Sequence, residues 1–83
     1  MSQFAYDVTL ENFEATVLQP SLEVPVVVDF WATWCQPCQT LTPILLKLAD
    51  EFGGRFLLAK VNADECQELA QHFGVRSLPT VKV

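Results

Sequence analysis

The stretch Val26–Cys38, VVVDFWATWCQPC, decides the architecture that we predict for this chain. Its first six residues are apolar except for Asp29 and show no polar alternation, which favours a central strand covered on both faces, as in a parallel sheet. Asp29 should therefore be buried, which is costly for a carboxylate unless it is paired or has a chemical role. An edge strand that leaves Asp29 outside the core is the alternative. The stretch ends in a C-x-x-C pair, Cys35 and Cys38.

A helical period follows the cysteine pair. Apolar residues recur at spacings of three and four, which indicates one face of a helix. They are Leu41, Ile44, Leu45, Leu48, Ala49 and Phe52. We predict a helix over about 35–52 that is kinked at Pro43 and ended by Gly53 and Gly54. The two cysteines therefore lie where a strand ends and a helix begins.

This position has a chemical consequence for the cysteines. Unpaired N–H groups and the positive end of the macrodipole at a helix N-terminus favour a thiolate, so a cysteine there should have a lowered pKa. Pro37 suits the first helical turn, where its missing N–H costs nothing. We favour a redox-active pair; half of a zinc site and two unrelated buried thiols are the alternatives.

The segment before the central strand has weaker patterns. Phe4, Tyr6 and Val8 alternate with smaller or polar residues, which predicts a first strand. Thr9 can cap a helix that ends near Leu18. The residues that we expect to face inward from this helix are Leu10, Phe13 and Val17.

After the central helix, the run 56–62 predicts a further strand. It should run parallel to the predicted central strand at the start of Val26–Cys38, in a right-handed strand–helix–strand unit. Asp64 is the expected cap of a short helix over 65–73, which Gly74 ends. Its inward residues should be Leu69, Ala70 and Phe73. A last strand should contain Val81 and Val83.

Composition limits the function. The 83 residues allow one domain, 1–83, and a content of 51% hydrophobic and 18% charged residues is outside the disordered range. A net charge of −5 argues against nucleic acid or an anionic membrane as a partner. There is no secretory leader pattern in residues 1–20, and the three cysteines are an odd number, so we expect a cytoplasmic protein with a reactive cysteine pair.

Three motifs together resemble the thioredoxin family. They are VDFWATWCQPC, Pro43 eight residues beyond Cys35, and the SLPT of 77–80. The resemblance runs from about Phe4 to the last residue and implies an α/β thioredoxin fold, with a central mixed sheet flanked by helices. The stretches 41–61 and 70–81 also resemble the N-terminal domain of bacterial thioredoxin–tetratricopeptide co-chaperones, the co-chaperedoxins.

The family resemblance implies a thiol–disulfide oxidoreductase that needs no cofactor or metal beyond its redox-active Cys35–Cys38 disulfide. Cys35, the more exposed of the two, would attack a target disulfide, and Cys38 would resolve the mixed disulfide. Asp29 would lie beneath Cys38 and help to deprotonate it through water, with a pKa raised by desolvation. Lys60 would be its counter-charge; an ordinary surface lysine is the alternative.

The resemblance also implies a substrate surface beside the cysteines. Pro79 matches the family's cis-proline, and the backbone of Leu78 would pair with an extended substrate segment. An ordinary trans turn is the alternative for Pro79. The implied partners are protein disulfide substrates and an electron donor of the thioredoxin-reductase type. The other residues of this surface are Trp34, Gln36, Pro37 and Ser77.

Two departures from the family pattern leave the direction of electron flow open. Gln36 replaces the glycine that is usual in W-C-G-P-C, and Gln39 replaces a basic residue often found after the second cysteine. Both changes affect how well a thiolate is stabilised. A redox-bearing module that binds clients or partners for a co-chaperone is the alternative function.

Other expectations concern the chain end and two isolated residues. A complete fold of this family has a further strand and a C-terminal helix after the strand near Thr80, so we expect 1–83 to lack both and to expose apolar surface and a sheet edge. If these residues fold alone, a dimer, strand exchange or marginal stability should result. Cys66 should be a surface or half-buried thiol rather than a regulatory or dimer-forming one, and His72 should be solvated rather than a metal ligand.

Overall fold

The decisive stretch forms the strand and the helix start that its pattern predicts. The computed structural model, which describes residues 3–83, has strand β2 at Val26–Trp31 and helix α2 at Gln36–Glu51. Pro37 lies in the first turn of α2, as predicted, and the helix continues through Pro43. Gly53 follows the helix with φ +58°, a left-handed conformation that glycine adopts at little cost.

The sheet of residues 3–83 is mixed and has four strands, which confirms the predicted fold class. The remaining strands are β1 at Ala5–Val8, β3 at Leu57–Asn62 and β4 at Thr80–Lys82. The strand order is β1-β3-β2-β4, in which β1 and β2 run parallel to β3 and β4 runs antiparallel to β2. The carboxyl ends of β2 and β3 therefore meet at one edge, where the cysteine pair follows β2.

The first helix begins and ends later than predicted. It consists of a π-helical turn at Glu14–Leu18 and a short α-helical turn at Gln19–Ser21, which together we call α1. Thr9 does not cap it. The Thr9 hydroxyl accepts the N–H of Asn12 at 3.2 Å, and the Thr9 N–H donates to Asn12 Oδ1 at 2.7 Å. These bonds close a separate turn, because short polar side chains compete for the backbone groups that a helix would use.

The third helix is also shorter than predicted. It spans Gln67–His72, and we call it α3. Asp64 does not cap it; instead Asn62 Oδ1 accepts the backbone N–H groups of Asp64 and Glu65 at 2.9 and 3.3 Å. Asn62 ends β3, so its side chain closes the turn before the helix can start. Gly74 follows the helix with φ +69°, as predicted.

The helices divide between the two faces of the sheet. One apolar cluster packs α1 and α3 on one face, and a smaller cluster packs α2 on the other. In the first cluster the Phe30 ring is fully buried, and its centroid lies 5.7 Å from that of Phe73. In the second cluster Ala49 and Leu58 are both 0% exposed. The close approach of α2 to the sheet thus depends on an alanine.

The apolar period misidentified part of the inward face of α2. Ile44, Leu48 and Phe52 were expected inside, but their exposed fractions are 52%, 36% and 50%. Because α2 begins at the end of β2, Cys38 in its first turn faces inward. This position fixes how the remainder of the helix is rotated about its axis. Residues at helical spacing from it, including Ala49, then face the sheet.

Predictions for the outer residues had mixed outcomes. Leu10 is 50% exposed and not inward, whereas Phe13 and Val17 pack in the core as expected. Cys66 is buried, with its Sγ 3.5 Å from the Val8 carbonyl oxygen, because the chain turns inward where α3 begins. The prediction of a surface or half-buried thiol was therefore wrong. His72 is exposed, as predicted.

Apolar side chains are exposed on α2 and on β4, which is an outer strand of the sheet within residues 3–83. Val81 is 40% exposed within β4, whereas Val83 follows the strand, so its predicted place in the last strand was wrong. The predicted dimer or strand exchange stays a prediction. No helix within residues 3–83 combines the length and apolar character that crossing a membrane requires.

Candidate active site

The cysteine pair forms a disulfide at the start of α2. The Cα atoms of Cys35 and Cys38 lie 5.3 Å apart, within the usual range for a bonded pair. Cys35 is the N-cap of α2, and the backbone N–H of Cys38 donates to Cys35 Sγ at 3.2 Å. When the bond is reduced, this donor and the helix dipole stabilise a thiolate on Cys35 in preference to a thiol.

Both sulfurs are covered in the disulfide form. Cys35 is 4% exposed and Cys38 is 2% exposed, so the expected solvent-facing position of Cys35 is not seen. Trp31 and Leu78 pack against the cysteines and cover them. The start of the helix and the loop that carries Leu78 therefore lie against each other at the disulfide.

That loop carries the proline identified from the sequence. The Leu78–Pro79 peptide bond is cis, which confirms the predicted geometry. The Thr80 hydroxyl donates to the Ser77 carbonyl oxygen, which closes the loop on itself. Since Leu78 also packs against the cysteines, the loop before β4 and the start of α2 form one surface.

The rest of the expected substrate surface lies around the helix start. Gln36 and Pro37 are exposed, and Trp34 is 65% exposed. The Trp34 ring is nevertheless anchored, because its Nε1–H donates to Asp64 Oδ2 at 2.8 Å. Sequence reasoning assigned Asp64 to a helix cap and missed this contact. The available indication was that Asp64 follows β3, whose end lies beside the end of β2.

Asp29 is the buried carboxylate beneath this surface. It is 0% exposed, as predicted, and the Thr42 hydroxyl donates to its Oδ2 at 2.8 Å. Its Oδ1 has no hydrogen-bond partner among residues 3–83. Burial raises the pKa of Asp29, while the Thr42 hydrogen bond and the charge of Lys60 oppose that rise. The predicted direction of the pKa shift is therefore confirmed.

Lys60 lies beside Asp29 in the sheet but forms its ion pair elsewhere. The register places Lys60 between Asp29 on β2 and Asp7 on β1. Its Nζ lies 3.4 Å from Asp7 Oδ1. Sequence reasoning missed Asp7, although alternation along β1 places it on the same face as Lys60 in a parallel register. The positive charge is thus shared between a buried and an exposed carboxylate.

A cleft of about 210 Å³ lies beside these groups and reaches Thr42 and Lys60, although Asp29 itself does not line it. It is lined by Trp31, Cys38, Gln39, Thr42, Pro43 and Lys60. The volume is large enough to hold water between Cys38 and the polar groups around Asp29. No group of three His, Cys, Asp or Glu side chains in the described part of the chain is arranged to hold a metal ion.

A disulfide at the start of a helix, with a buried carboxylate bonded to the same helix, is an arrangement that suits disulfide exchange. The class of protein that this site indicates is the protein disulfide oxidoreductases. The chain belongs to the thioredoxin family, since the family model described as Thioredoxin matches residues 5–83.

Curated relatives agree with this assignment. The chain is 44% identical over 81 residues to a thioredoxin of Thiocapsa roseopersicina, covering 98% of this chain and 87% of that protein. It is 40% identical over 81 residues to thioredoxin C-2 of Corynebacterium nephridii, covering 98% and 73%. It is 40% identical over 78 residues to a thioredoxin of Chlorobaculum thiosulfatiphilum, covering 94% and 70%. The narrower resemblance to co-chaperones stays a prediction.

Proposed function

We propose that this protein exchanges dithiols for disulfides in protein substrates through Cys35 and Cys38. The observation that carries the proposal is the Cys35–Cys38 disulfide at the N-terminus of α2, with the Cys38 N–H on Cys35 Sγ at 3.2 Å. That donor makes Cys35 the better nucleophile and the better leaving group of the two.

The exchange has two steps in the reducing direction. The Cys35 thiolate attacks one sulfur of the substrate disulfide; that S–S bond breaks, and its electron pair leaves on the other substrate sulfur. Cys38 then loses its proton to Asp29 and attacks Cys35 Sγ, which breaks the mixed disulfide and releases the second substrate thiolate. Two electrons pass from the protein dithiol to the substrate, and a reductase of the thioredoxin-reductase type returns them.

The substrate segment binds between the loop before β4 and the start of α2. The backbone of Leu78 pairs with an extended substrate strand, and cis-Pro79 faces the cysteines. The exposed ring of Trp34 provides an apolar contact. Gln36, Pro37 and Ser77 complete this surface. We place the exchange in the cytoplasm because the three cysteines are an odd number, which suits a reducing compartment.

Trapping of the mixed disulfide tests the proposal. A Cys38→Ser variant cannot resolve it and should accumulate a 1:1 adduct with a disulfide-containing peptide, detected by non-reducing mass spectrometry. A Cys35→Ser variant should form no such adduct at neutral pH, and a Cys66→Ser control should turn over normally. An adduct on Cys66, or none in Cys38→Ser, would contradict the proposal.

The client-binding module remains a second candidate. The apolar side chains of Ile44, Leu48 and Phe52 on α2 are exposed, and exposed apolar surface supports protein binding. Suppression of the aggregation of an unfolded test protein, measured by light scattering, should then survive in a Cys35→Ser and Cys38→Ser double variant. Loss of suppression in that variant would exclude a role independent of the cysteines.

A further inference from the structure

The contact between Thr42 and Asp29 has no role in the exchange described above. The Thr42 hydroxyl donates to Asp29 Oδ2 at 2.8 Å, and this bond joins helix α2 to the centre of the sheet. Only one carboxylate oxygen is held in this way, because Oδ1 has no partner within residues 3–83. The carboxylate is therefore fixed at one oxygen and left free at the other.

Thr42 also lies close to the resolving cysteine. It follows Cys38 by four residues on α2, so both side chains project from the same side of the helix. Both line the cleft of about 210 Å³. The same side of α2 therefore carries both Cys38, which must lose a proton in the proposed exchange, and the Thr42 hydroxyl, which holds Asp29.

We propose that Thr42 is a positioning residue for proton exchange between Cys38 and Asp29, an inference that rests on the proposed function. Its hydroxyl holds Oδ2 of Asp29 and leaves Oδ1 to accept the proton. The Sγ–H bond of Cys38 breaks, the proton passes through water in the cleft to Oδ1, and the new thiolate attacks Cys35 Sγ. The electron pair of the broken mixed disulfide leaves on the substrate sulfur, so no further reactant is needed.

The surroundings of Asp29 give the hydroxyl an electrostatic role as well. From β3 the carboxylate faces Lys60, which is itself paired with Asp7 of β1. From α2 the Thr42 hydroxyl contacts it, and Cys38 lies one helical turn before Thr42. From β4 its cross-strand neighbour is the apolar Val81. The hydroxyl stabilises the ionised carboxylate by a hydrogen bond within a buried site. Its removal should raise the pKa of Asp29 further and also release Oδ2.

Direct titration of Asp29 gives the first test. Thr42→Val removes the hydroxyl at nearly constant volume, Thr42→Ser keeps it, and Thr40→Val is the matched control at an exposed position of the same helix. The carboxyl carbon of Asp29 is followed by NMR against pH in the disulfide form of each protein. We expect the midpoint to move to higher pH in Thr42→Val, and to stay near that of the wild type in Thr42→Ser and Thr40→Val.

The rate of resolution gives the second test. Release of a thiol reporter from a preformed mixed disulfide on Cys35, followed by stopped flow at pH 7, should be slower in Thr42→Val by about tenfold. Thr42→Ser should recover most of the rate. In an Asp29→Asn background, Thr42→Val should cause no further loss, because a residue that acts through Asp29 has nothing left to position.

Two outcomes would overturn the inference. One is an Asp29 midpoint in Thr42→Val that matches the wild type, and the other is an equal loss of rate with and without Asp29. If Thr42→Val does not fold, Thr42→Ala is measured against the same criteria. A wild-type protein that exchanges no disulfides contradicts the proposed function instead, and the titration of Asp29 distinguishes the two failures because it requires no turnover.

Discussion

A single buried carboxylate connects the chemistry of this protein to its stability. Asp29 is 0% exposed, and its burial raises its pKa. The folded state therefore holds a proton on Asp29 at pH values where the unfolded chain has released it. Stability is then greatest below the pKa of the unfolded carboxyl group, and part of it is lost as pH rises through the folded pKa. The ionised form of the group to which the proposed exchange assigns proton transfer is therefore unfavourable for folding.

This cost predicts that removal of the charge stabilises the fold. Asp29→Asn keeps the shape and an acceptor for Thr42, so its free energy of unfolding at pH 8 should exceed that of the wild type by about 1–3 kcal/mol. The difference should be smaller at pH 4, because Asp29 takes up its proton as pH falls. Urea unfolding at both pH values measures it, with Asp50→Asn as the exposed control. A wild type that is more stable than Asp29→Asn at pH 8 would contradict this account.

The Trp34–Asp64 hydrogen bond makes a second prediction at the level of one residue. Asp64→Ala removes the acceptor of the Trp34 Nε1–H, so the exposed ring loses its fixed orientation. We expect kcat/KM for a protein disulfide to fall by about fivefold, as one hydrogen bond of modest net value is lost. Exchange with a small disulfide should change little. An equal loss of kcat/KM for both substrates would mean that Asp64 affects the reactivity of the cysteines and not the binding of the protein substrate.

At the level of elements, helix α2 joins the site to the core. Its first turn holds the cysteines, its second contributes Thr42, and its last contributes Ala49 against the sheet. The rotation of the helix about its axis is therefore set at both ends. A change at Ala49 should disturb the site as well as stability.

Ala49→Leu tests how tightly α2 packs against the sheet. The residue is fully buried, so the added methylene and methyl groups have no space and should lower the free energy of unfolding by about 1–3 kcal/mol. Ala15→Leu on the exposed side of α1 is the matched control and should change stability by less than about 0.5 kcal/mol. Chemical denaturation measures both. Equal stability of the two variants would show that α2 can move away from the sheet without cost.

At the level of the whole molecule, local sequence patterns predicted the strands and helix starts. They did not predict how helices are rotated or which distant segments come into contact. The runs around Asp29 and Cys35 indicated a buried strand and a helix start because each depends on neighbours in sequence. The burial of Cys66 and the Trp34–Asp64 bond were missed, since both depend on how distant segments meet. The predicted inward face of α2 was partly wrong because the apolar residues of this helix lie on two overlapping faces. Only the inward position of Cys38 shows which of these faces packs against the sheet.

Self-association is the corresponding prediction for the whole molecule. The apolar side chains of Ile44 and Phe52 are each at least half exposed, so the 83-residue chain should associate at high concentration. Phe52→Lys should shift sedimentation toward the monomer, whereas Leu22→Lys, at an 81% exposed position of a separate segment, should not. Equal sedimentation of the wild type and Phe52→Lys at all concentrations would contradict this prediction.

In the proposed function, Cys35 and Cys38 form a reversible redox couple. Equilibration in glutathione buffers, read by alkylation and mass spectrometry, measures it most directly, with Cys35→Ser and Cys66→Ser as controls. We predict an intramolecular disulfide that Cys35→Ser abolishes and Cys66→Ser leaves intact. A reduction potential of about −270 mV for the couple would make the protein a reductase, and one of about −180 mV would make it an oxidant or isomerase. If no Cys35–Cys38 disulfide forms in any buffer, the account is wrong.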